Sequence, residues 1–347
     1  MRETAETAGR TGERPSSPVA VLGAGSWGTA LAMQFTRVGR PTVLWGRDSV
    51  QVGLMARQRC NERYLPGVAL PDALNITADF GTALAGAADI VLAVPSHVFR
   101  SVVSELARFA GPACRVAWAT KGFELASGRL PHEIAGEILG RARPLAVLSG
   151  PTFAREVAAG LPTALTVASS DRQFADDLAH SLSADNFRAY TSHDMVGVEV
   201  GGAVKNVLAI GAGISDGMGF GANTRIALIT RGLVEMTRLG VALGAERATF
   251  MGLAGMGDLV LTCTDNLSRN RRCGLALAAG VSLTQAQEDI GQVVEGVHAA
   301  RAVHEVAQRL GVEMPICELV YRVLYQALSP QDAVKRLMSR MLKPEAE

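Results

Sequence analysis

The chain has 347 residues, which is long enough for two domains that each bury a sizeable core. Apolar residues make up 48%, charged residues 19% and the net charge is +1, so nothing indicates a disordered chain, a nucleic-acid groove or a polybasic membrane patch. No apolar run reaches the ~18 to 20 residues of a membrane span. We expect residues 1–17, which are polar and lack the apolar core of a secretory signal, to be a disordered extension of a cytoplasmic protein.

The cysteines and histidines do not indicate a metal or disulfide framework. The five cysteines are scattered and include no C-x-x-C pair, so we interpret them as reduced thiols. The six histidines show no metal-ligand spacing, and we predict no metal site. We interpret His97, in a loop after a predicted strand, as a structural residue or a pocket wall.

The first predicted strand ends in a glycine-rich turn. The apolar run 19–22 leads into Gly23, Gly25 and Gly28 at G-x-G-x-x-G spacing, and the helix-forming run 29–35 follows. The three glycines would permit a tight turn, close approach to a pyrophosphate and close packing of helix on strand. The pyrophosphate would lie at the helix N-terminus. An incidental turn is the alternative, but a strand before and a helix after favour dinucleotide binding.

The rest of the first half alternates predicted strands with helices. This alternation is typical of a doubly wound parallel sheet, so we predict an α/β Rossmann-type NAD(P)-binding domain over residues 18–192. The predicted strands are 41–48, 88–96, 115–122, 144–151, 163–169 and 187–192. The predicted helices between them are 98–109, 130–139 and 173–183.

Beyond residue 193 the pattern becomes helical. We predict an all-α substrate-binding domain over residues 193–340, with ligands bound between the two domains. Its predicted helices are 198–217, 224–243, 283–290, 296–310 and 316–324. The one strand signal left is the short run LVLTC, 259–263.

The end of the second strand indicates which dinucleotide is bound. In this fold an acidic residue there selects NAD, whereas an arginine can pair with the 2′-phosphate of NADP. Arg47 stands 24 positions after Gly23, but Asp48 is next to it, so the signal is mixed. A solvated turn arginine is the alternative. We predict NADPH, with NADH also accepted.

Lys121 follows a buried strand, and ligands of open α/β sheets bind at the carboxyl ends of strands. An ordinary surface lysine explains this placement equally well. The segment SGPTFA, 149–154, ends another strand with small polar and backbone groups suited to a ligand.

Lys205 shares a predicted helix face with small and apolar residues, namely Gly201, Gly202, Leu208 and Ala209. A lysine on such a face either extends outward to solvent or is functional. Desolvation would lower its pKa and make proton transfer near neutral pH feasible. The pattern alone favours neither alternative.

A compact polar cluster follows a glycine-rich turn that leads to Asp258. Ser268, Arg269 and Asn270 combine a guanidinium with hydroxyl and amide groups, which suits a phosphate ester. Taken as an isolated motif, a solvated basic turn is the better interpretation.

Together these motifs resemble those of bacterial NAD(P)-dependent glycerol-3-phosphate dehydrogenases. The resemblance runs in order from about residue 18 to 330, and GGAVKN followed by SRNRR is its most specific part. It implies reduction of dihydroxyacetone phosphate to sn-glycerol 3-phosphate, the precursor of the phospholipid backbone. It implies that Lys205 is the catalytic acid/base, and that Lys121 supplies a second positive charge.

The resemblance also implies ligand contacts. With the glycines of the turn, the cofactor-binding residues would be Gly23, Gly25, Ser26, Trp27, Gly28, Arg47, Lys121, Ala154, Arg269, Val293 and Glu295. The substrate-binding residues would be Lys121, Gly150, Thr152, Lys205, Asp258, Ser268, Arg269 and Asn270. One hypothesis for the assembly is a homodimer formed through the apolar helical domain.

Two other functions fit the same architecture. A β-hydroxyacid dehydrogenase would act on a carboxylate, which the phosphate-suited cluster argues against. A non-catalytic NADPH sensor need not keep a helix-buried lysine at the crevice.

Overall fold

The computed structural model describes residues 17–339. Of the predicted disordered extension 1–17, therefore, all but Ser17 lies outside the described residues. A large sheet and its helices form the first half, and helices form the second, so the predicted fold class is confirmed.

The large sheet has eight strands in the order β10-β9-β8-β7-β6-β1-β2-β5, and β3 pairs with β4 in a separate ribbon. The strands are β1 Val19–Leu22, β2 Thr42–Trp45, β3 Cys60–Asn61, β4 Leu65–Ala69, β5 Asn75–Thr77, β6 Asp89–Leu92, β7 Arg115–Trp118, β8 Leu145–Ser149, β9 Thr163–Ser169 and β10 Phe187–Ser192.

Helices cover both faces of this sheet. They are α1 Ser26–Arg37, α2 Ser49–Gln58, α3 Phe80–Leu84, α4 Ser96–Phe109, α5 Pro131–Leu139, α6 Ala154–Ala159 and α7 Arg172–Leu182. Successive residues of a strand point to opposite faces, so Val19 and Val21 join one apolar cluster and Ala20 and Leu22 the other. Burial on both sides explains why β1 is continuously apolar.

The sheet departs from the predicted all-parallel arrangement at one pair of strands. Strand β9 runs antiparallel to β8, whereas the other pairs of the large sheet are parallel. A parallel return needs a crossover that spans the length of the strand. The six residues of α6 rise only about 9 Å, against about 16 Å for the five-residue β8. The chain therefore enters β9 from the carboxyl end of β8.

The second half packs around one buried helix, α8 Met195–Gly217. The helices that follow are α9 Ala222–Ala242, α10 Asp258–Thr264, α11 Arg269–Ala278, α12 Leu283–Ile290, α13 Glu295–Leu310, α14 Pro315–Tyr325 and α15 Pro330–Met338. A 3-10 turn, Arg247–Met251, and a π-helical turn, Leu253–Gly257, precede α10. Although α8 is long and apolar enough to cross a membrane, 89% of its most apolar window is buried inside the protein.

The predicted strand 259–263 is wrong, because this run lies within α10. Short apolar runs do not distinguish strand from helix by periodicity. In the structure Leu259 and Cys263, four residues apart, lie on the buried side of a helical turn. Asp258 stands in the first turn, where a carboxylate is favoured by the helix dipole.

Candidate active site

Two lysines converge on one carboxylate where three elements meet. Lys205 of α8 places its Nζ 2.5 Å from Oδ1 of Asp258, at the start of α10. Lys121, in the loop after β7, places its Nζ 2.6 Å from Oδ2 of the same carboxylate. Thr262, one turn along α10 from Asp258, accepts a further hydrogen bond from Lys205 Nζ at 2.9 Å. The structure thus brings together three of the predicted site residues.

Burial controls the charge of this cluster. The side chains of Lys205, Asp258 and Lys121 are only 9%, 1% and 15% exposed. Burial lowers the pKa of Lys205 to about 8; Asp258 opposes this effect, and the nearby Lys121 adds to it. Burial favours protonation of Asp258, but the two ammonium groups outweigh it and lower the pKa of its carboxyl. With both lysines protonated the cluster carries one net positive charge, which suits a developing oxyanion.

The lysine pair lies against the carboxyl ends of two neighbouring parallel strands, β7 and β8. A Cβ atom on Gly202 of α8 would be 3.2 Å from Lys121 Cγ and 3.4 Å from Ser149 Oγ, so the missing side chain lets α8 approach both loops. The Ser149 hydroxyl is buried without a hydrogen-bond partner. The predicted residues Gly150 and Thr152 follow it directly, and the Thr152 hydroxyl donates to Gly150 O at 3.3 Å.

An amide chain links the lysine helix to the predicted phosphate cluster. Asn206, next to Lys205, accepts a hydrogen bond of 2.8 Å from Asn270 of α11. The side-chain oxygen of Asn270 in turn accepts from Gly296 N, at the start of α13, at 2.8 Å. Asn270 therefore fixes three helices relative to one another.

The other two members of the cluster differ in how they are held. Ser268 is buried and caps α11 by accepting a hydrogen bond from Arg271 N at 3.2 Å. Arg269 is partly exposed, and its guanidinium donates to Gln292 Oε1 at 3.3 Å. Of the ion pairs formed within residues 17–339, none includes Arg269. Its charge is therefore the one in this cluster best placed to meet an anion.

Sequence reasoning missed three polar residues of this site, Thr262, Asn206 and Gln292. Thr262 lies four residues after Asp258, on the same face of α10, but the predicted strand concealed that relation. Asn206 is a buried amide on an otherwise apolar helix, and this pattern could have identified it. Gln292 carries no comparable signal, because only the folded chain brings it to Arg269.

The glycine-rich turn fits a dinucleotide. A Cβ on Gly28 would lie 1.9 Å from Gly23 O, whereas a Cβ on Gly25 would meet nothing within 4 Å, so the open side of the turn is at Gly25. Gly25 is also the N-cap of α1, without a side-chain cap, and the first turn, which contains Ser26 and Trp27, has no acidic residue. Backbone N–H groups there are available to a pyrophosphate.

Strand order places this turn at a crevice. Strands β2 and β5 lie on one side of β1, and β6, β7 and β8 lie on the other. A doubly wound sheet binds ligands where the strand order reverses, here between β1 and β6.

Arg47 follows β2 and is exposed. The carboxylate of Asp48 caps α2, accepting from Val50 N and Gln51 N at 3.1 Å.

The remaining predicted cofactor contacts stand at helix starts and in a loop. Ala154 begins α6, which packs against α1. Glu295 begins α13, and Val293, just before it, is exposed.

Within residues 17–339 no group of three or more histidine, cysteine or acidic side chains is arranged to hold a metal ion, and the five cysteines are unpaired.

Two family models match the chain. Residues 18–175 match the N-terminal part of the NAD-dependent glycerol-3-phosphate dehydrogenases, and residues 194–335 match their C-terminal part. A relative from Aeromonas salmonicida, named glycerol-3-phosphate dehydrogenase [NAD(P)+], is 57% identical over 328 residues, which is 94% of this chain and 98% of that protein. A relative of the same name from Shewanella amazonensis is 55% identical over 333 residues, covering 96% of this chain and 98% of the relative.

Solved structures of other dehydrogenases are also similar to this chain. The crystal structure of a glycerol-3-phosphate dehydrogenase from Coxiella burnetii is similar with a TM-score of 0.91 and 48% identity, over 94% of this chain and 99% of that chain. A D-mandelate dehydrogenase, at 12% identity and a TM-score of 0.60 over 91% of this chain and 99% of its own, shares the fold alone.

Proposed function

Because the chain belongs to the NAD-dependent glycerol-3-phosphate dehydrogenase family, we propose that it reduces dihydroxyacetone phosphate to sn-glycerol 3-phosphate reversibly, with Lys205 as acid/base. The observation that carries the assignment of Lys205 is its buried contact with Asp258, opposite Lys121. The direct test is the oxidation of NADPH, followed by its absorbance, on addition of dihydroxyacetone phosphate. A β-hydroxyacid dehydrogenase would instead prefer a carboxylate substrate, and a nucleotide sensor would turn over neither.

The chemistry divides between cofactor and protein. When bound, the nicotinamide supplies the hydride that reaches the ketone carbon, or accepts it in the reverse direction. Lys205 gives the proton from its Nζ to the carbonyl oxygen, so that hydride and proton together make the secondary alcohol. Lys121 adds positive charge beside the developing oxyanion. Asp258 holds both ammonium groups and fixes the direction in which they point.

The remaining predicted contacts complete the proposed site. Gly150 and Thr152 would bind the three-carbon part of the substrate beside Lys121. Ser268, Arg269 and Asn270 would surround its phosphate. Ser26, Trp27, Ala154, Val293 and Glu295 would border the cofactor along the crevice, together with the glycines of the turn.

The pH profile tests the role of Lys205. Reduction needs its ammonium form, so kcat/KM for dihydroxyacetone phosphate should fall as the pH rises through about 8. Oxidation of glycerol 3-phosphate needs the neutral amine, and its kcat/KM should rise over the same range. Asp258→Asn removes the carboxylate that opposes the effect of burial, and should therefore move the descending limb to lower pH. Flat profiles in both directions would contradict the proposal.

We further propose that NADPH is preferred and that NADH is also accepted. Arg47 and Asp48 are both exposed, but the carboxylate of Asp48 is engaged in capping α2, which favours Arg47 as the group that meets the ribose. An arginine there can form a charge-assisted pair with the 2′-phosphate.

Arg47→Asp should shift the preference from NADPH toward NADH. Loss of a charge-assisted hydrogen bond of about 1.5 to 3 kcal/mol implies a change of tenfold or more in the ratio of kcat/KM for the two cofactors. The matched control is Arg57→Asp, which makes the same charge change at an exposed position of α2. An unchanged ratio in Arg47→Asp would show that Arg47 does not contact the ribose.

We also propose that the chain divides near residue 193 into a nucleotide domain, 18–192, and a helical substrate domain, 193–340. The protein acts in the cytoplasm, where its product would supply the phospholipid backbone. The apolar helical domain would form a homodimer interface, which sedimentation of the purified protein tests directly.

A further inference from the structure

Two histidines from the two halves of the chain meet beside the dinucleotide crevice. His97 lies in the first turn of α4, not in the loop expected from the sequence, because the helix begins directly after Pro95, and His298 lies in the first turn of α13. Their ring centroids are 5.8 Å apart, with 46° between the ring planes. Both side chains are exposed, so a ligand in the crevice can reach them.

The loop between β6 and α4, which leads to His97, forms part of the crevice wall. A Cβ on Gly23 would lie 2.6 Å from Ala93 O, and a Cβ on Gly28 would lie 3.0 Å from Ala93 Cβ. The residues just before His97 therefore pack directly against the turn proposed to bind the pyrophosphate. His97 follows β6, the strand that borders the reversal of strand order next to β1.

The charges around this pair favour an anion. Arg47, from the loop after β2, acts electrostatically on His97, as do His298 and Glu295 from α13. Arg47 is cationic, and among residues 17–339 Glu295 is the one carboxylate that acts electrostatically on His97. Burial lowers the pKa of His97; His298 and Arg47 lower it further, and Glu295 only partly opposes them.

We propose that His97 and His298, which stand side by side at the crevice, together bind one of the phosphate groups of the dinucleotide, with uptake of a proton. This inference rests on the proposed cofactor site and adds to it two residues from different halves of the chain. An imidazole that is neutral in the free protein becomes an imidazolium when a phosphate lies beside it, because the anion favours the charged form. The His97 imidazolium then donates a charge-assisted hydrogen bond to the phosphate, and the His298 ring lies close enough to donate a second hydrogen bond to the same group.

Proton uptake separates this role from a structural contact. The experiment is titration calorimetry of NADPH and NADH near pH 7.5, in buffers that differ in ionisation enthalpy. The proteins compared are the wild type, His97→Asn, His298→Asn and the double variant. His180→Asn, at an exposed position of α7, is the matched control. Thermal unfolding of each variant checks that it is folded.

The wild type should take up more protons per NADPH than the double variant, and its Kd should be about tenfold lower, as loss of a charge-assisted hydrogen bond implies. His180→Asn should match the wild type. If wild type and double variant differ in proton uptake and Kd with NADH as well as with NADPH, the histidine pair binds the pyrophosphate. If they differ with NADPH alone, the pair binds the 2′-phosphate. Equal proton uptake and equal Kd in wild type and double variant would overturn the inference. Failure of the wild type to bind either dinucleotide would instead overturn the proposed cofactor site.

Discussion

Replacement of Lys205 by alanine is expected to abolish measurable ketone reduction while the Kd for NADPH stays nearly unchanged. Loss of a positioned acid typically costs ~10²- to 10⁴-fold in rate, and loss of positive charge beside the oxyanion adds to this. The cofactor turn is formed by β1 and α1, and Lys205 is not among the proposed cofactor contacts, so binding of the dinucleotide should survive. Single-turnover rates and a fluorescence titration with NADPH measure the two effects separately.

The control for this experiment must account for the buried carboxylate that Lys205 leaves behind. Asp258 keeps its ion pair with Lys121, so we expect Lys205→Ala to fold with a lowered unfolding temperature. Lys205→Arg keeps a positive charge, but a guanidinium hardly releases its proton, so it should retain oxyanion stabilisation and lose proton transfer. It should therefore turn over faster than Lys205→Ala and much more slowly than the wild type. Turnover of Lys205→Ala within a few-fold of the wild type would refute the assignment.

Local sequence signals were sufficient for the parts of the fold that depend on near neighbours. The turn from Gly23 to Gly28 could be predicted because strand, glycines and helix follow one another directly. Lys205 stood out as a charge on a helix face of small residues, and the structure places that face against other elements: a Cβ on Gly201 would lie 2.5 Å from Ala254 O. That pattern does not show whether Lys205 acts as an acid. A lysine on such a face can also extend outward to solvent, and the sequence does not show which elements cover the helix.

The features that were missed depend on contacts between distant parts of the chain. Asp258 was identified as a residue near the substrate, but its position between Lys121 and Lys205 joins segments more than fifty residues apart in sequence. The antiparallel pairing of β9 with β8 follows from the shortness of α6. The pattern of apolar residues in the sequence does not show how far a helix carries the chain along the sheet. The strand predicted at 259–263 failed because five apolar and small residues fit either period.

The predicted phosphate site gives the second large effect. The three-carbon carbonyl compound offers little surface, so most of its binding energy must come from the charged ester. Within the cluster, Ser268 and Asn270 are engaged in capping and in the amide chain, whereas Arg269 is partly exposed and donates one hydrogen bond, to Gln292. Arg269→Ala should therefore raise KM for dihydroxyacetone phosphate steeply. It should also lower kcat, because binding energy at the phosphate helps to align the carbonyl for hydride attack.

Charge-assisted hydrogen bonds of about 1.5 to 3 kcal/mol each imply at least a tenfold loss in kcat/KM for Arg269→Ala. Arg272→Ala, which removes an exposed arginine from the same helix, is the matched control and should behave as the wild type. Dihydroxyacetone without the phosphate should be a very poor substrate for the wild type, and it should lose far less than the phosphorylated substrate when Arg269 is removed. If both substrates lost activity equally, Arg269 would act through the cofactor or the fold, and the phosphate would have to bind elsewhere. A selective loss would instead assign to one guanidinium the recognition of the ester, leaving the lysine pair to the carbonyl.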